Sequence, residues 1–145
     1  MVEKDSKIKI GVGAVVFRGA DVLVIRRGKP PFEGKWSIPG GGLHFNERLE
    51  DAVRREVAEE TALEIRIGGL IGVFEAVPRE TGYDSHVVMI DYWAEWDSGE
   101  PLAGDDAVEA EFVSYETALS RVSWDETRTA IASASKLRNI ARPKP

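Results

Sequence analysis

The chain has 145 residues, 25 acidic against 19 basic side chains, a formal charge of −6 and no cysteine. That length suits one domain over residues 1–145 with a full core, and the missing cysteines exclude a disulfide framework, a thiolate metal site and a Cys nucleophile. The acidic balance argues against a nucleic-acid polymer or an anionic membrane as partner, because such binding is driven by Lys and Arg. No apolar run approaches the ~20 residues that span a bilayer, and Met1 to Lys7 holds no apolar signal core, so a cytoplasmic location is expected.

In chain order, Ile8 to Phe17 is rich in β-branched residues and interrupted by Gly11 and Gly13. It reads as a strand whose glycines admit a bulge or a close neighbour. A turn over Arg18 to Asp21 leads to the apolar strand Val22 to Ile25, which ends in Arg26 and Arg27; together they predict an antiparallel hairpin. Gly28 to Gly34 reads as loop and runs into Trp36, Ser37, Ile38, Pro39 and three glycines, Gly40 to Gly42. Glu47 to Thr61 holds neither Gly nor Pro and predicts the clearest helix, with Asn46 as its cap. On that helix Leu49, Val53 and Val57 form an apolar stripe, and Asp51 with Arg55, then Arg55 with Glu59, stand one turn apart. Strands follow at Leu63 to Val77, Val87 to Trp96 and Glu111 to Val113, then helical pattern at Tyr115 to Ser120 and Asp125 to Leu137, then a frayed tail from Ala141. The order predicts an α/β (α+β) domain with a mixed sheet between helical layers.

The chemistry concentrates between Gly41 and Leu63. Glu56, Glu59 and Glu60 are spaced i, i+3, i+4, which puts three carboxylates within about 100° of a helix surface. Their repulsion calls for a compensating cation, and carboxylate oxygens suit Mg²⁺ or Mn²⁺. A solvated acidic face is the alternative for the same residues. The glycines upstream let backbone approach a ligand, and a carbonyl there could complete a metal shell.

Joint spacing decides between these readings. The stretch reads G-x5-E-x7-R-E-V-x-E-E-x-A-L from Gly41. It resembles the signature of the Nudix hydrolases, G-x5-E-x7-R-E-U-x-E-E-x-G-U with U aliphatic, and Trp36, Pro39 and Gly40 resemble the segment leading into it. Ala62 stands where that signature has glycine. His44-Phe45-Asn46 replaces a common Glu-Pro-Gly, with Asn46 able to take the left-handed conformation of the missing glycine.

The resemblance implies a Nudix-like α/β/α sandwich and Mg²⁺-dependent hydrolysis of a nucleoside diphosphate linked to another moiety. It implies Glu56, Glu59 and Glu60 as metal ligands, the Gly41 carbonyl and Glu47 as further contributors, and Arg55 orienting the glutamates. Glu59, Glu56 and Arg55 are then catalytic candidates. Asp106 and Glu109, in the acidic stretch ahead of Val113, are candidates for a general base or an extra ligand. Arg26, Arg27, Lys35, Trp36 and His44 are candidates for substrate contacts. The wording around Arg26-Arg27, Trp36 and Trp124-Asp125-Glu126-Thr127-Arg128 resembles a bacterial subgroup of ADP-ribose pyrophosphatases. A nucleoside triphosphate pyrophosphohydrolase and a non-catalytic nucleotide-binding module are the alternatives, and a homodimer is compatible with the β segments.

Overall fold

The computed structural model describes residues 7–29 and 32–142. The readings of residues 1–6, of Pro30 and Pro31 and of the last three residues lie outside them.

The first hairpin forms as its pattern predicts. β1 (Ile8–Arg18) and β2 (Asp21–Arg27) run antiparallel with Arg18 opposite Asp21, and Gly19 supplies the positive φ of 60° at the turn. Beyond the segment read as loop, where no strand was expected, come two short strands, β3 (Trp36–Ser37) and β4 (Gly40–Gly42). β4 is legible only from its partner: Gly40, Gly41 and Gly42 pair with Gly13, Val12 and Gly11 of β1. Side chains would prevent that approach, since a Cβ on Gly40 would lie 2.3 Å from the Val12 carbonyl oxygen.

The helix α1 (Leu49–Thr61) begins two residues later than its composition suggested, and Arg48, not Asn46, occupies the cap. Asn46 is used elsewhere, holding φ +66° in the turn before the helix. At the other end Ala62 adopts the left-handed conformation, φ 62°, that glycine would take without strain, and its amide donates to the Ala58 carbonyl. Relief of that strain exceeds the entropy that glycine adds to the unfolded chain. Ala62→Gly is therefore expected to raise stability by roughly 0.5–1 kcal/mol, read as a higher midpoint in urea; an unchanged or lower midpoint would contradict it.

β5 (Glu64–Ala76) and β6 (His86–Ser98) form a long antiparallel pair, joined through one helical turn, α2 (Pro78–Thr81). β6 then lies parallel to β1, with Gly11 beside Met89, Gly13 beside Asp91 and Val15 beside Trp93. β7 (Ala107–Ser114) is longer than the three residues expected and pairs antiparallel with β2 along its length. α3 (Tyr115–Arg121) and α4 (Asp125–Ala141) complete the chain, with Ala141 inside the helix and not in a frayed tail.

Side-chain alternation along β1 divides the core into two layers. Val12, Ala14 and Val16 meet Ala52, Val53 and Val57 of α1, while Val15 and Phe17 face Ala130, Ile131 and Ala134 of α4. The mixed sheet is thus sandwiched between α1 and the α3/α4 pair, the α/β/α arrangement expected. Among the described residues no helix is long and apolar enough to cross a membrane.

Candidate active site

α1 is amphipathic in an unusual way, because its buried face carries carboxylates. Val53 and Val57 seat the helix on the sheet, which swings Glu56 and Glu60 inward to 8% and 2% exposure, while the Glu59 side chain remains about 41% exposed. Glu60 Oε1 accepts a 2.8 Å hydrogen bond from the Gly40 amide. Burial pushes its carboxyl up to about 8, with Glu56 adding to the rise. Glu56 is raised as well, first by burial, against the pull of Arg55.

The glycines opposite are shaped around these groups. A Cβ on Gly41 would sit 2.3 Å from Glu56 Oε2, so the carboxylate occupies the space a side chain would take.

Arg55 is the hub of the site. Its Nε and Nη2 grip both oxygens of Glu47 at 2.8 and 2.9 Å, its Nη1 donates to Glu56 at 2.7 Å and to Glu59 at 3.4 Å, and Nη2 also donates to the Gly42 carbonyl. The two-pronged contact holds the Glu47 carboxyl down at about 2, and the same contact raises Arg55. Glu47 Oε1 further accepts from the His44 amide. With its fork committed to Glu47, Arg55 leaves the expected partner Asp51 to Arg54, at 3.2 Å.

The donor set fits a hard divalent cation. Glu59 and Glu60 lie in the last turn of α1, where the helix dipole disfavours negative charge, and no basic residue stands in that turn to offset it. Two of the inward carboxyls are raised by desolvation, which a cation would reverse. As they stand, no three His, Cys, Asp or Glu groups among the described residues converge closely enough to hold a metal ion. Glu56 and Glu59 both lean on the Arg55 guanidinium instead.

The other candidates are placed unevenly. The loop after β6 is fastened to the end of α1, where the Leu102 and Gly104 amides donate to the carbonyls of Thr61 and Glu60. That brings Asp106 near enough to raise Glu60, yet Asp106 itself pairs with Lys29 at 2.9 Å. Glu109 does not join the carboxylates. It stands opposite Arg26 in the β2–β7 register and pairs with it at 2.7 Å, so a candidate for base or extra ligand and a candidate for substrate contact meet each other. Lys35 and His44 are exposed, and neither lines the cavity beside the site. Arg27 and Trp36 do line it, and the Arg27 charge is felt at Glu60.

That cavity, about 260 Å³, lies over β1 on the α4 side and opens along Gly40 to Gly42. Phe32, Tyr83 and Trp124 gather at its wall, with ring centroids 4.9 Å apart for Phe32 and Tyr83 and 6.2 Å for Phe32 and Trp124. Of the aromatics available for stacking, Tyr92 and Trp93 are core residues, whereas Tyr83 and Trp36 reach the cavity. Phe32 and Asp91 were missed. Phe32 carried no signal in its loop, and Asp91 was one acidic residue inside an apolar strand, a departure from pattern that could have drawn notice.

Inward helix carboxylates facing a glycine strand mark this end of the sandwich as the candidate active site of a hydrolase. The family model for the NUDIX domain matches residues 7–133, and the chain belongs to the Nudix family, whose members are pyrophosphohydrolases acting on small nucleotides. It is similar to an ADP-ribose pyrophosphatase from Methanocaldococcus jannaschii, 34% identical over 82% of this chain and 69% of that protein. It is also similar to a putative 8-oxo-dGTP diphosphatase 2 from Mycobacterium tuberculosis, 33% identical over 67% of each. Among solved structures, the MutT NUDIX hydrolase of Burkholderia pseudomallei superposes with a TM-score of 0.74 at 28% identity, covering 88% of this chain and 98% of that one. The NUDIX domain of Shewanella oneidensis NrtR, complexed with ADP ribose, shares the fold with a TM-score of 0.77 at 22% identity over 91% and 89% of the two chains.

Proposed function

We propose that this Nudix hydrolase cleaves the pyrophosphate bond of ADP-ribose or a related nucleotide sugar with Mg²⁺, Mn²⁺ being able to substitute. The observation that carries the reading is the pair of inward carboxylates Glu56 and Glu60 against the backbone of Gly40 and Gly41. The similarity to an ADP-ribose pyrophosphatase supports the substrate. Glu56, Glu59, Glu60 and the Gly41 carbonyl would hold the metal, which when bound neutralises the adjoining phosphates and acidifies a bound water. Water attacks one phosphorus, the P–O bond of the anhydride breaks, and AMP and ribose 5-phosphate leave.

Arg55 and Glu47 act as positioning residues. The guanidinium fixes Glu56 and Glu59 relative to the Gly42 carbonyl, and Glu47 fixes the guanidinium. Glu59, the most exposed of the three, is the carboxylate best placed to meet a solvent proton.

A product-resolved assay with Mg²⁺ over ADP-ribose and nucleoside triphosphates tests this. Glu59→Gln and Glu60→Gln are each expected to lose about 100-fold or more in turnover, several kcal/mol of transition-state stabilisation. Variants that match the parent would refute the metal assignment. Release of pyrophosphate from triphosphates with ADP-ribose left intact would favour the triphosphate pyrophosphohydrolase, the second reading, which the similarity to a putative 8-oxo-dGTP diphosphatase supports.

A further inference from the structure

The floor of the cavity holds a group that the hydrolytic chemistry does not use. Asp91 lies on the central strand β6, 5% exposed, and lines the cavity. Its Oδ1 is buried without any hydrogen-bond partner among the described residues. One glycine of the neighbouring strand, Gly13, makes room for it, and Gly11 makes room for Met89 one step along. A Cβ on Gly13 would lie 2.4 Å from Asp91 Oδ1, and one on Gly11 would lie 2.6 Å from Met89 Sδ.

An unpaired carboxyl in such a place costs the fold about 1–3 kcal/mol or more, and an apolar residue there would avoid the cost. Nothing among the described residues offsets it, so the partner is looked for in a ligand. The surroundings narrow the choice. The volume falls just below the ~300–1,000 Å³ typical of pockets for drug-sized ligands, enough for one ring system and not for a whole dinucleotide. Phe32, Trp36, Tyr83 and Trp124 stand in its walls, and the glycines that face the α1 carboxylates stand at one end.

We propose that Asp91 is a specificity-determining residue that reads the nucleobase, binding an adenine ring through its exocyclic N–H and the ring nitrogen beside it. The inference rests on the reading of this cavity as part of a nucleotide site. Turned into the cavity, the carboxyl accepts from the amine through one oxygen and donates its proton from the other to the ring nitrogen, a matched pair of bonds for an acid that burial keeps protonated toward neutral pH. Asn in the same place would offer the same donor and acceptor; Leu would offer neither.

The test is binding, without turnover, by calorimetry on the full chain. AMP is compared with purine riboside 5′-monophosphate, which lacks only the exocyclic amine, and with GMP. Wild type is expected to bind AMP about tenfold tighter than the purine riboside nucleotide, the worth of one buried hydrogen bond. Asp91→Asn keeps that preference, and Asp91→Leu removes it. Equal binding of the two by wild type, failure to bind either, tighter binding of GMP, or a folded Asp91→Leu that still prefers AMP would each overturn the proposal. The wild-type comparison decides even if a variant does not fold. A protein that prefers AMP in this way but leaves ADP-ribose uncleaved would sink the substrate reading alone.

Discussion

Arg55→Ala is expected to cost both stability and turnover, because one guanidinium donates to three carboxylates and to a carbonyl. Its removal leaves Glu47 and Glu56, whose side chains are 16% and 11% exposed, facing each other across a vacated space. Breaking a buried pair this way costs about 3–5 kcal/mol when water is fully excluded, and an exposed pair is worth under about 1 kcal/mol. For this partly exposed cluster about 2 kcal/mol is expected, a fall in Tm of roughly 4–8 °C. Turnover should fall 10–100-fold, as for groups that orient metal ligands, with the Mg²⁺ concentration for half-activation rising. Arg55→Lys should recover stability in part and turnover hardly at all, since one ammonium cannot span both Glu47 oxygens and still reach Glu56 and the Gly42 carbonyl. Thermal melts and Mg²⁺ titrations of activity read both effects; a lysine variant with parental turnover would show that charge alone suffices.

Asp91 should make the protein less stable as pH rises. Burial holds its carboxyl up at about 7 in the folded state, against about 3.9 in an unfolded chain. Between those values the native state keeps a proton that the unfolded state has released. The Asp91 contribution to the free energy of unfolding therefore falls as pH rises from about 4 to about 7, then levels off, by about 4 kcal/mol over the window. Asp91→Asn has no proton to lose. Its stability relative to wild type is expected to be near parity at pH 4 and to exceed it by about 4 kcal/mol at pH 8, measured by urea unfolding at both. A difference between the two proteins that does not change with pH would mean that Asp91 is ionised in the fold.

The parts of the protein that could be read from its residues are those written locally. The carboxylates of α1 share one helix, so their spacing alone placed them on one face, and the fixed residues of the box identified the family. The Gly40–Gly42 strand could not be read, because three glycines have no side-chain pattern and become a strand only against Val12 and its neighbours. Glu109 and Arg26 looked like two separate functional charges until the β2–β7 register set them opposite each other across 83 residues. Asp91 needed more still. Its meaning depends on β1 and β6 lying parallel, which puts Gly13 beside it and leaves its oxygen without a hydrogen-bond partner among the described residues. The expected Asn46 cap was a competition lost to the left-handed turn, which needed the same residue.

The attachment of the Leu102 and Gly104 amides to the last carbonyls of α1 bears on how the site could have diversified. Changing the length of this segment between Gly99 and Gly104 would pull on the helix that bears Glu59 and Glu60. A Cβ on Gly104 would already press to 2.8 Å from the Glu59 carbonyl oxygen, and one on Gly99 to 3.0 Å from that of Ala62. Variation in substrate range within this architecture would therefore be channelled toward the cavity wall, where Phe32, Tyr83 and Trp124 come from three separate segments.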